Sequence, residues 1–209
     1  MDLQGVSFTA SGVDTRPVMD VRCDGTCRLT QSAFDGPQVG LSWSGPGTSV
    51  MDNVAVNAVQ QAVEASGSGH ADWANLTVAA SERVLTVQTP SSSIANVAVH
   101  LNSDDGRGID VLGGEHVWSN ITAEKAFVSS DRTSIGLNAW YSHITVDQMT
   151  LRNFSTGALL EDSAVMAQSV EANVGSLVGV HLIDASLVGS DLTTVVQEEG
   201  VLMEGTSTL

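Results

Sequence analysis

The sequence predicts an all-β fold, a right-handed parallel β-helix of about eight or nine coils, each with roughly 22 residues and three short strands. Short apolar-x-apolar segments recur at spacings of 21 to 28 residues along nearly the whole chain. Asn or Gly residues that favour tight turns stand beside these segments. Aromatic residues make up only 4% of the chain, so the predicted core consists mainly of Val, Leu, Ile and Ala.

The first strand of each coil begins with an apolar-x-apolar segment. Because side chains alternate between the two faces of a strand, the first and third residues are predicted to point inward. The aligned strand starts are Leu29, Val54, Leu76, Val97, Ile121, Met149, Val170 and Leu192. The preceding residue is often polar and suited to a left-handed turn, as at Asn53, Asn75, Asn96, Asn120, Gln148 and Asp191.

A second strand follows in each coil and is often opened by Gly. Its predicted inward residues form two apolar columns, Ile109, Leu137, Ala158, Val180, Val201 and Val111, Ala139, Leu160, Leu182, Met203. Its outward column is mixed and contains Asp110, Asn138, Leu159, His181 and Leu202. A weaker third strand is assigned to Trp73, Ile94, Val117, Ile144, Val165 and Leu187. A left-handed hexapeptide helix is the alternative solenoid, but its strict six-residue period is missing.

This pattern resembles the pectate-lyase-like superfamily of right-handed β-helix proteins, including uncharacterised surface proteins with parallel β-helix repeats. The resemblance runs from about Val6 to Met203 and is specific for fold rather than activity. It implies a polysaccharide lyase, a polygalacturonase, a carbohydrate binder or an adhesin. The Asn-Thr-Asp and Gly-His-Gly motifs of polygalacturonases are absent, and Asp104-Asp105-Gly106 is interpreted as a turn. No catalytic residue is therefore transferred from these families.

The predicted organisation is a single solenoid with an irregular start. Residues 1–28 are expected to form an irregular coil or partial N-terminal cap, and residues 29–209 the parallel β-helix. No amphipathic cap helix is evident at either end, although an open terminal coil exposes a sheet edge. We therefore expect a piece of a longer solenoid, or an end that packs on a partner, including self-association through uncapped ends.

The charge balance excludes several partners. The chain has a net charge of −16, with 24 acidic residues and a single lysine, Lys125. Nucleic acid is an unsuitable partner because clustered Lys and Arg are lacking. No apolar run reaches the ~18 residues of a membrane-spanning helix, so membrane insertion is not expected. The composition resembles that of proteins from salt-adapted organisms, and the alternative is an ordinary acidic bias.

The two cysteines favour an oxidising compartment. Cys23 and Cys27 are close enough in sequence for a disulfide that closes a turn, and two free thiols are the alternative. No Cys or His pair elsewhere has metal-site spacing, so no metal site is predicted. We expect an extracellular or cell-surface location. The N-terminus has no signal-peptide pattern, which predicts a processed product or an excised piece.

Candidate catalytic residues stand outward at the end of the first strand. His100, Glu124 and Arg152 occupy equivalent positions on successive coils and are expected about 5 Å apart. A His beside a carboxylate and an Arg could act in acid–base catalysis or bind a uronate. The alternative is a structural ladder of salt bridges between coils.

The longest coils, around residues 97–148, are the candidate ligand-binding region, because insertions cluster on the binding face of a solenoid. The residues proposed to bind a polysaccharide or cell-surface glycan are Trp118, Trp140, Tyr141, His143, Asp110 and Asn138. The alternative for Trp118 and Trp140 is packing on the solenoid flank or under loops. The loops of these coils are predicted to carry Asp104, Asp105, Arg107, Glu115, His116, Lys125, Asp131 and Arg132. Their carboxylates could hold Ca²⁺, although no loop has calcium-site spacing, and no cofactor is otherwise expected.

Three sequons, at Asn75, Asn120 and Asn153, would permit N-glycosylation in a secreted protein.

Two functions follow from the sequence as a whole. The first is a non-catalytic surface solenoid for carbohydrate binding, adhesion or structural support. The second is a polysaccharide lyase or glycoside hydrolase that acts on an acidic polysaccharide, which rests on fold analogy alone.

Overall fold

A computed structural model describes residues 1–9, 16–36, 38–126, 133–173, 177–196 and 198–209. It is an all-β parallel solenoid of about 8 turns of roughly 22 residues, as the repeat predicts. Asp131 and Arg132 lie outside the described residues. Within the described ranges, no helix is long and apolar enough to cross a membrane.

The described strands run in chain order. They are β1 Asp2–Gln4, β2 Ser7–Thr9, β3 Pro17–Arg22, β4 Thr26–Asp35, β5 Val39–Ser44, β6 Thr48–Asn57, β7 Gln61–Ser66, β8 His70–Ala80, β9 Arg83–Gln88, β10 Ser91–Leu101, β11 Gly106–Leu112, β12 Glu115–Lys125, β13 Ser134–Trp140, β14 His143–Arg152, β15 Thr156–Glu161, β16 Ala164–Asn173, β17 Val178–Ile183, β18 Ser186–Val195 and β19 Glu199–Glu204.

The strands form two parallel sheets that run side by side along the solenoid. Sheet A has ten strands in the order β1-β4-β6-β8-β10-β12-β14-β16-β18, with β2 also paired to β4. Sheet B has nine strands in the order β19-β17-β15-β13-β11-β9-β7-β5-β3. Each strand therefore pairs with the equivalent strand of the coils before and after it, about 4.8 Å away.

The predicted third and first strands of a coil join into one strand of sheet A, bent at a single residue. In β8 the buried residues step from Trp73 to Leu76, with Asn75 between them at φ 54°. Asn53, Asn96 and Asn120 have φ values of 55°, 54° and 51°. In these four coils a left-handed Asn turns the chain without ending the ladder, because Asn tolerates this conformation better than most residues. Gln148 and Asp191, which were predicted to have the same role, do not have a positive φ.

Residues on the predicted inward columns form a continuous core. In sheet A the paired column contains Val54, Leu76, Val97, Ile121, Met149 and Val170, all buried. In sheet B a buried column contains Leu41, Val63, Leu85, Ile109, Leu137, Ala158 and Val180. Period-2 alternation of aliphatic residues located the sheet B column from Ile109 onward. Met203, which was also predicted to point inward, is 44% exposed in the last coil.

The predicted alignment was wrong for the first coil. Leu29 pairs with Met51, three residues before Val54, and Ser32 occupies the position opposite Val54. Ser32 is buried, and its hydroxyl donates to the Thr30 carbonyl and accepts from the Val6 amide. A hydrogen-bonded serine therefore takes a core position that a search for apolar residues does not recognise.

The predicted third-strand column was also wrong, because it combined residues from different columns of sheet A. Ile94 pairs with Trp118 rather than Val117, and Val117 points outward with 63% of its surface exposed. Ile144 pairs with His116, so a buried histidine occupies the inward position. Ile144, Val165 and Leu187 therefore belong to the column of His116, two residues away from the column that contains Trp73, Ile94 and Trp118.

The described parts of the N-terminal segment, residues 1–9 and 16–28, contain more regular structure than the irregular coil expected there. Strands β1 and β2 both pair in parallel with β4, and β3 pairs in parallel with β5. This segment thus begins the two sheets, and the Cys23–Cys27 turn connects sheet B to sheet A within it.

Candidate functional site

The candidate site is on the outer face of sheet B, where β11 and β13 lie side by side. Asp110 pairs with Asn138, and Leu112 pairs with Trp140. Trp140 is 36% exposed, whereas the other three tryptophans of the chain are at most 2% exposed. The structure thus brings Asp110 and Trp140 together on one face. Asn138 lies beside them but is only 1% exposed, so its predicted role as a ligand-binding residue is wrong and it acts as a buried partner of Asp110.

Arg107 links Asp110 to the Trp140 ring. Its Nη1 donates to both carboxylate oxygens of Asp110, at 3.2 Å and 3.1 Å. Its guanidinium carbon lies 5.6 Å from the centroid of the Trp140 ring, within the range of a cation–π contact. Asn138 Nδ2 donates to Asp110 Oδ1 at 2.5 Å. These contacts hold the charged groups beside Trp140 in fixed positions.

A break in strand alternation places Arg107 and Asp110 on the same face. Gly108 and Ile109 are both buried, so the residues on either side of this pair point outward. A Cβ at Gly108 would lie 2.8 Å from the Gly136 carbonyl oxygen and 3.1 Å from Phe154 Cζ. Only glycine fits this close approach, and Gly108 therefore sets the geometry of the cluster.

Two buried oxygens flank Asp110 along the same column. Thr86 pairs with Asp110 on the preceding coil, and Asn138 follows on the next. Thr86 Oγ1 and Asn138 Oδ1 are buried and have no hydrogen-bond partner among the described residues. Such groups typically cost about 1–3 kcal/mol each, so this face is not optimised for stability alone.

The remaining predicted ligand residues are not part of this cluster. Trp118 is 2% exposed and donates its Nε1 hydrogen to Ser92 Oγ at 2.9 Å, so burial removes its ring from any ligand surface. Tyr141 is 65% exposed and lies at the corner after β13. His143 begins β14 and contacts Glu115, with Nδ1 and Oε1 2.9 Å apart.

The candidate catalytic residues are stacked in the predicted register. His100 pairs with Glu124, and Glu124 pairs with Arg152. His100 Nδ1 and Glu124 Oε1 are 3.7 Å apart, and both side chains are more than a third exposed. In the same column Asn57 Nδ2 donates to Asp35 Oδ1 at 2.8 Å. The recurrence of cross-coil pairs in this column favours a structural ladder over a catalytic group.

A buried hydrogen-bond chain around His116 has no counterpart in the sequence predictions. Trp118 Nε1 donates to Ser92 Oγ, and Ser92 Oγ lies 2.8 Å from His116 Nδ1. His116 Nε2 is 2.6 Å from the Gly113 carbonyl oxygen and must donate to it. If the Ser92 hydroxyl donates its hydrogen to Nδ1, a neutral His116 ring therefore leaves no donor or acceptor in this chain without a hydrogen-bond partner. Burial lowers the pKa of His116 below its ordinary 6.5, although the Gly113 carbonyl and Glu115 oppose this effect.

Lys125, the single lysine, has an inward position. It pairs with Leu101, and its side chain is fully buried. Its Nζ donates to the Asp104 carbonyl oxygen at 3.3 Å and lies 3.5 Å from Asp104 Oδ1. This lysine therefore connects the core to the turn at Asp104, and it is not part of the exposed loop charge that the sequence suggested.

The cysteines and sequons have structural partners. Cys23 and Cys27 form a disulfide with a Cα–Cα distance of 5.9 Å, at the corner between β3 and β4. Asn75 and Asn120 are exposed, but their side-chain amides donate to Asp52 and Asn96. The Asn153 amide donates to the Lys125 carbonyl oxygen at 3.2 Å. A glycan on any of these nitrogens would alter an existing hydrogen bond.

In the described ranges, no group of three or more His, Cys, Asp or Glu side chains is arranged to hold a metal ion. Neither a protein-family model, nor a curated protein, nor a solved structure matches this chain.

Proposed function

We propose that this chain is a non-catalytic, extracellular solenoid module that binds a polysaccharide or cell-surface glycan around Trp140. The observation that carries this proposal is the exposure of Trp140 on a rigid parallel sheet, while Trp43, Trp73 and Trp118 are buried. A large exposed aromatic ring has an unfavourable contact with water and is a frequent feature of ligand-binding surfaces.

The surroundings of Trp140 have the chemistry of a sugar-binding site. An indole ring packs against the apolar C–H face of a pyranose, while nearby polar groups bind its hydroxyls. Asp110, Arg107 and Glu161 supply such groups, since Glu161 pairs with Trp140 on the following coil. The Arg107–Asp110 contact orders these side chains before ligand arrives, which lowers the entropic cost of binding.

The arrangement of the charged side chains in the two candidate regions favours binding over catalysis. The Asp110 carboxylate is occupied by Arg107 and Asn138, so neither proton transfer nor nucleophilic attack is its evident role. The His100–Glu124 pair lies on sheet A, whereas the exposed tryptophan is on sheet B. The disulfide supports an oxidising, extracellular compartment, because such bonds are rare where thiols are kept reduced.

The proposal is tested by binding to soluble polysaccharides and a glycan panel that includes neutral, acidic and amine-bearing sugars. We expect saturable binding to at least one class, and Trp140→Ala should weaken it at least tenfold. Leu202→Ala is the matched control, because Leu202 is outward on the same sheet but three coils away. Circular dichroism establishes that both variants are folded.

Binding that is unchanged in Trp140→Ala would refute the site, and a folded protein that binds no glycan would refute the function. Release of new sugar ends during incubation would instead support the polysaccharide lyase or glycoside hydrolase.

A further inference from the structure

An exposed apolar column crosses the outer face of sheet A at four successive strands. Val117, Thr145, Met166 and Val188 pair in register from β12 to β18 and are here called the apolar strip. Val117, Met166 and Val188 are 63%, 58% and 61% exposed. The equivalent residue on β10 is Ser93, and on β8 it is Asp72, so the apolar character begins at β12.

The strip lies along a shallow depression of about 590 Å³. Its lining includes Gly189, which has no side chain, and the short side chains of Ser119 and Ser190. Because the Thr145 side chain is shorter than that of Met166, the surface is lower between Val117 and Met166. The surface therefore has an apolar centre with small polar residues on one side, which suits an elongated partner rather than a single small molecule.

Three carboxylates lie in or near the apolar strip. Asp147 lies in the depression, and Glu115 and Asp191 are exposed beside it. In the sequence, eight acidic residues and no Lys or Arg follow Arg152. A partner with basic residues flanking an apolar face would complement this surface, whereas a second copy of the same face would bring like charges together.

Spacing along the strip favours an α-helix over an extended segment. Four residues on adjacent coils span about 14 Å at ~4.8 Å per coil. Side chains on one face of a helix recur every turn and span about 16 Å over three turns, at ~5.4 Å pitch. Same-face residues of an extended strand span about 20 Å over the same number of repeats, at ~3.3 Å per residue.

We propose that the apolar strip is a docking surface for an amphipathic α-helix with basic flanks. The helix lies along the solenoid axis, places one apolar side chain per turn over the strip, and directs Lys or Arg side chains toward Asp147 and Asp191. This interaction is independent of the glycan site, because it uses the other sheet.

The test measures binding of a fluorescein-labelled synthetic helix with Leu on one face and Lys on both flanks. A peptide of identical composition in shuffled order is the first control, and the helix with Lys replaced by Glu is the second. We expect the Leu/Lys helix to bind the full chain at least tenfold more tightly than either control. Anisotropy is recorded in low and in molar salt, and added salt should weaken binding.

Protein variants assign that binding to the strip. Val117→Ser with Met166→Ser should weaken binding at least tenfold, whereas Val59→Ser with Val195→Ser should change it less than twofold. Val59 and Val195 are also exposed apolar residues, at 44% and 56%. Because all four side chains are outward, unfolding is not expected, and thermal melting verifies this.

Equal binding of the shuffled peptide, or unchanged binding by the strip double variant, would overturn the proposal. Equal binding of the Glu peptide would overturn its electrostatic part. Sedimentation of the free chain is the last measurement, and self-association abolished by the strip variant would show that a second copy is the true occupant.

Discussion

Ser92 and His116 face each other on adjacent coils inside the solenoid, with Oγ and Nδ1 2.8 Å apart. The same serine oxygen accepts the Trp118 Nε1 hydrogen, and His116 donates to the Gly113 carbonyl oxygen. One hydroxyl thus connects two buried rings, and the chain of donors is complete only while His116 is neutral.

Protonation of His116 should make the fold sensitive to acid. Its pKa is below 6.5 in the folded chain because of burial, so the unfolded chain takes up this proton first as pH falls. The contribution of this group to stability is therefore fully present above about pH 6.5 and declines from there toward the lower folded pKa.

Urea unfolding from pH 8 to pH 5 should show a smaller decline in the free energy of unfolding for His116→Gln than for the wild type. His143→Gln is the control and should keep the wild-type decline, since His143 is exposed. Parallel curves for wild type and His116→Gln would contradict this assignment.

Thr86→Val should stabilise the protein. The Thr86 hydroxyl is buried without a hydrogen-bond partner among the described residues, and valine has the same shape with a methyl group in its place. We expect a gain of about 1 kcal/mol in the free energy of unfolding. Thr89→Val is the matched control, because Thr89 Oγ1 donates to the Ser91 carbonyl oxygen at 2.9 Å. The control should lose about 1 kcal/mol. A loss in both variants would mean that the Thr86 hydroxyl has a partner in solution.

Asn96 should be sensitive to replacement although it is exposed. It has a φ of 54°, donates to Asn75 Oδ1 and accepts from Asn120 Nδ2. Asn96→Ala should destabilise by about 2 kcal/mol, because it loses both amide contacts and retains the left-handed strain. Asn96→Gly removes the strain and should cost about 1 kcal/mol less. Chemical denaturation of the two variants measures the difference, and equal losses would exclude a contribution from backbone conformation.

The structural reading of the His100–Glu124 pair predicts that no polysaccharide is cleaved. Pectin, alginate and related polymers incubated with the protein in high salt should yield no unsaturated or reducing ends. Spectrophotometric detection of unsaturated products and a reducing-end assay measure this directly. Turnover that disappears in Glu124→Gln but persists in Asp35→Asn would show instead that the stacked pair is catalytic.

How much of the fold could be predicted from the sequence depends on which residue types occupy each inward column. The column from Val54 to Leu192 was found because most of its members are aliphatic and recur with the coil. Alignment failed at Ser32 and His116, where a polar side chain is buried and satisfied by hydrogen bonds. A polar residue can be buried at such a position only because other parts of the chain supply its hydrogen-bond partners, and a periodic search for apolar residues does not detect it.

The candidate site was predicted in part for a related reason. Strand alternation placed Asp110 and Asn138 in one outward column, and the long coils around residues 97–148 pointed to Trp140. The structure pairs Asp110 with Asn138, but Asn138 is buried there. Arg107 was predicted to lie in the loop before this strand. The two consecutive inward residues Gly108 and Ile109, which put Arg107 on the same face as Asp110, depart from period-2 alternation and were not predicted. Trp118 was assigned to the surface because composition alone does not indicate which aromatic ring is buried.

The Cys23–Cys27 bond closes a loop of only a few residues inside one corner. In the chain-entropy description such a short cross-link contributes about 2 kcal/mol, and it joins no two layers of the stack. The coils are therefore held together by the hydrogen bonds of the parallel ladder and by the buried aliphatic columns, as expected for a repeat protein in which each coil contacts only its neighbours. Reduction should loosen the first corner and leave the remaining layers assembled, and a pulling force along the axis should separate layers one after another rather than rupture a covalent clamp.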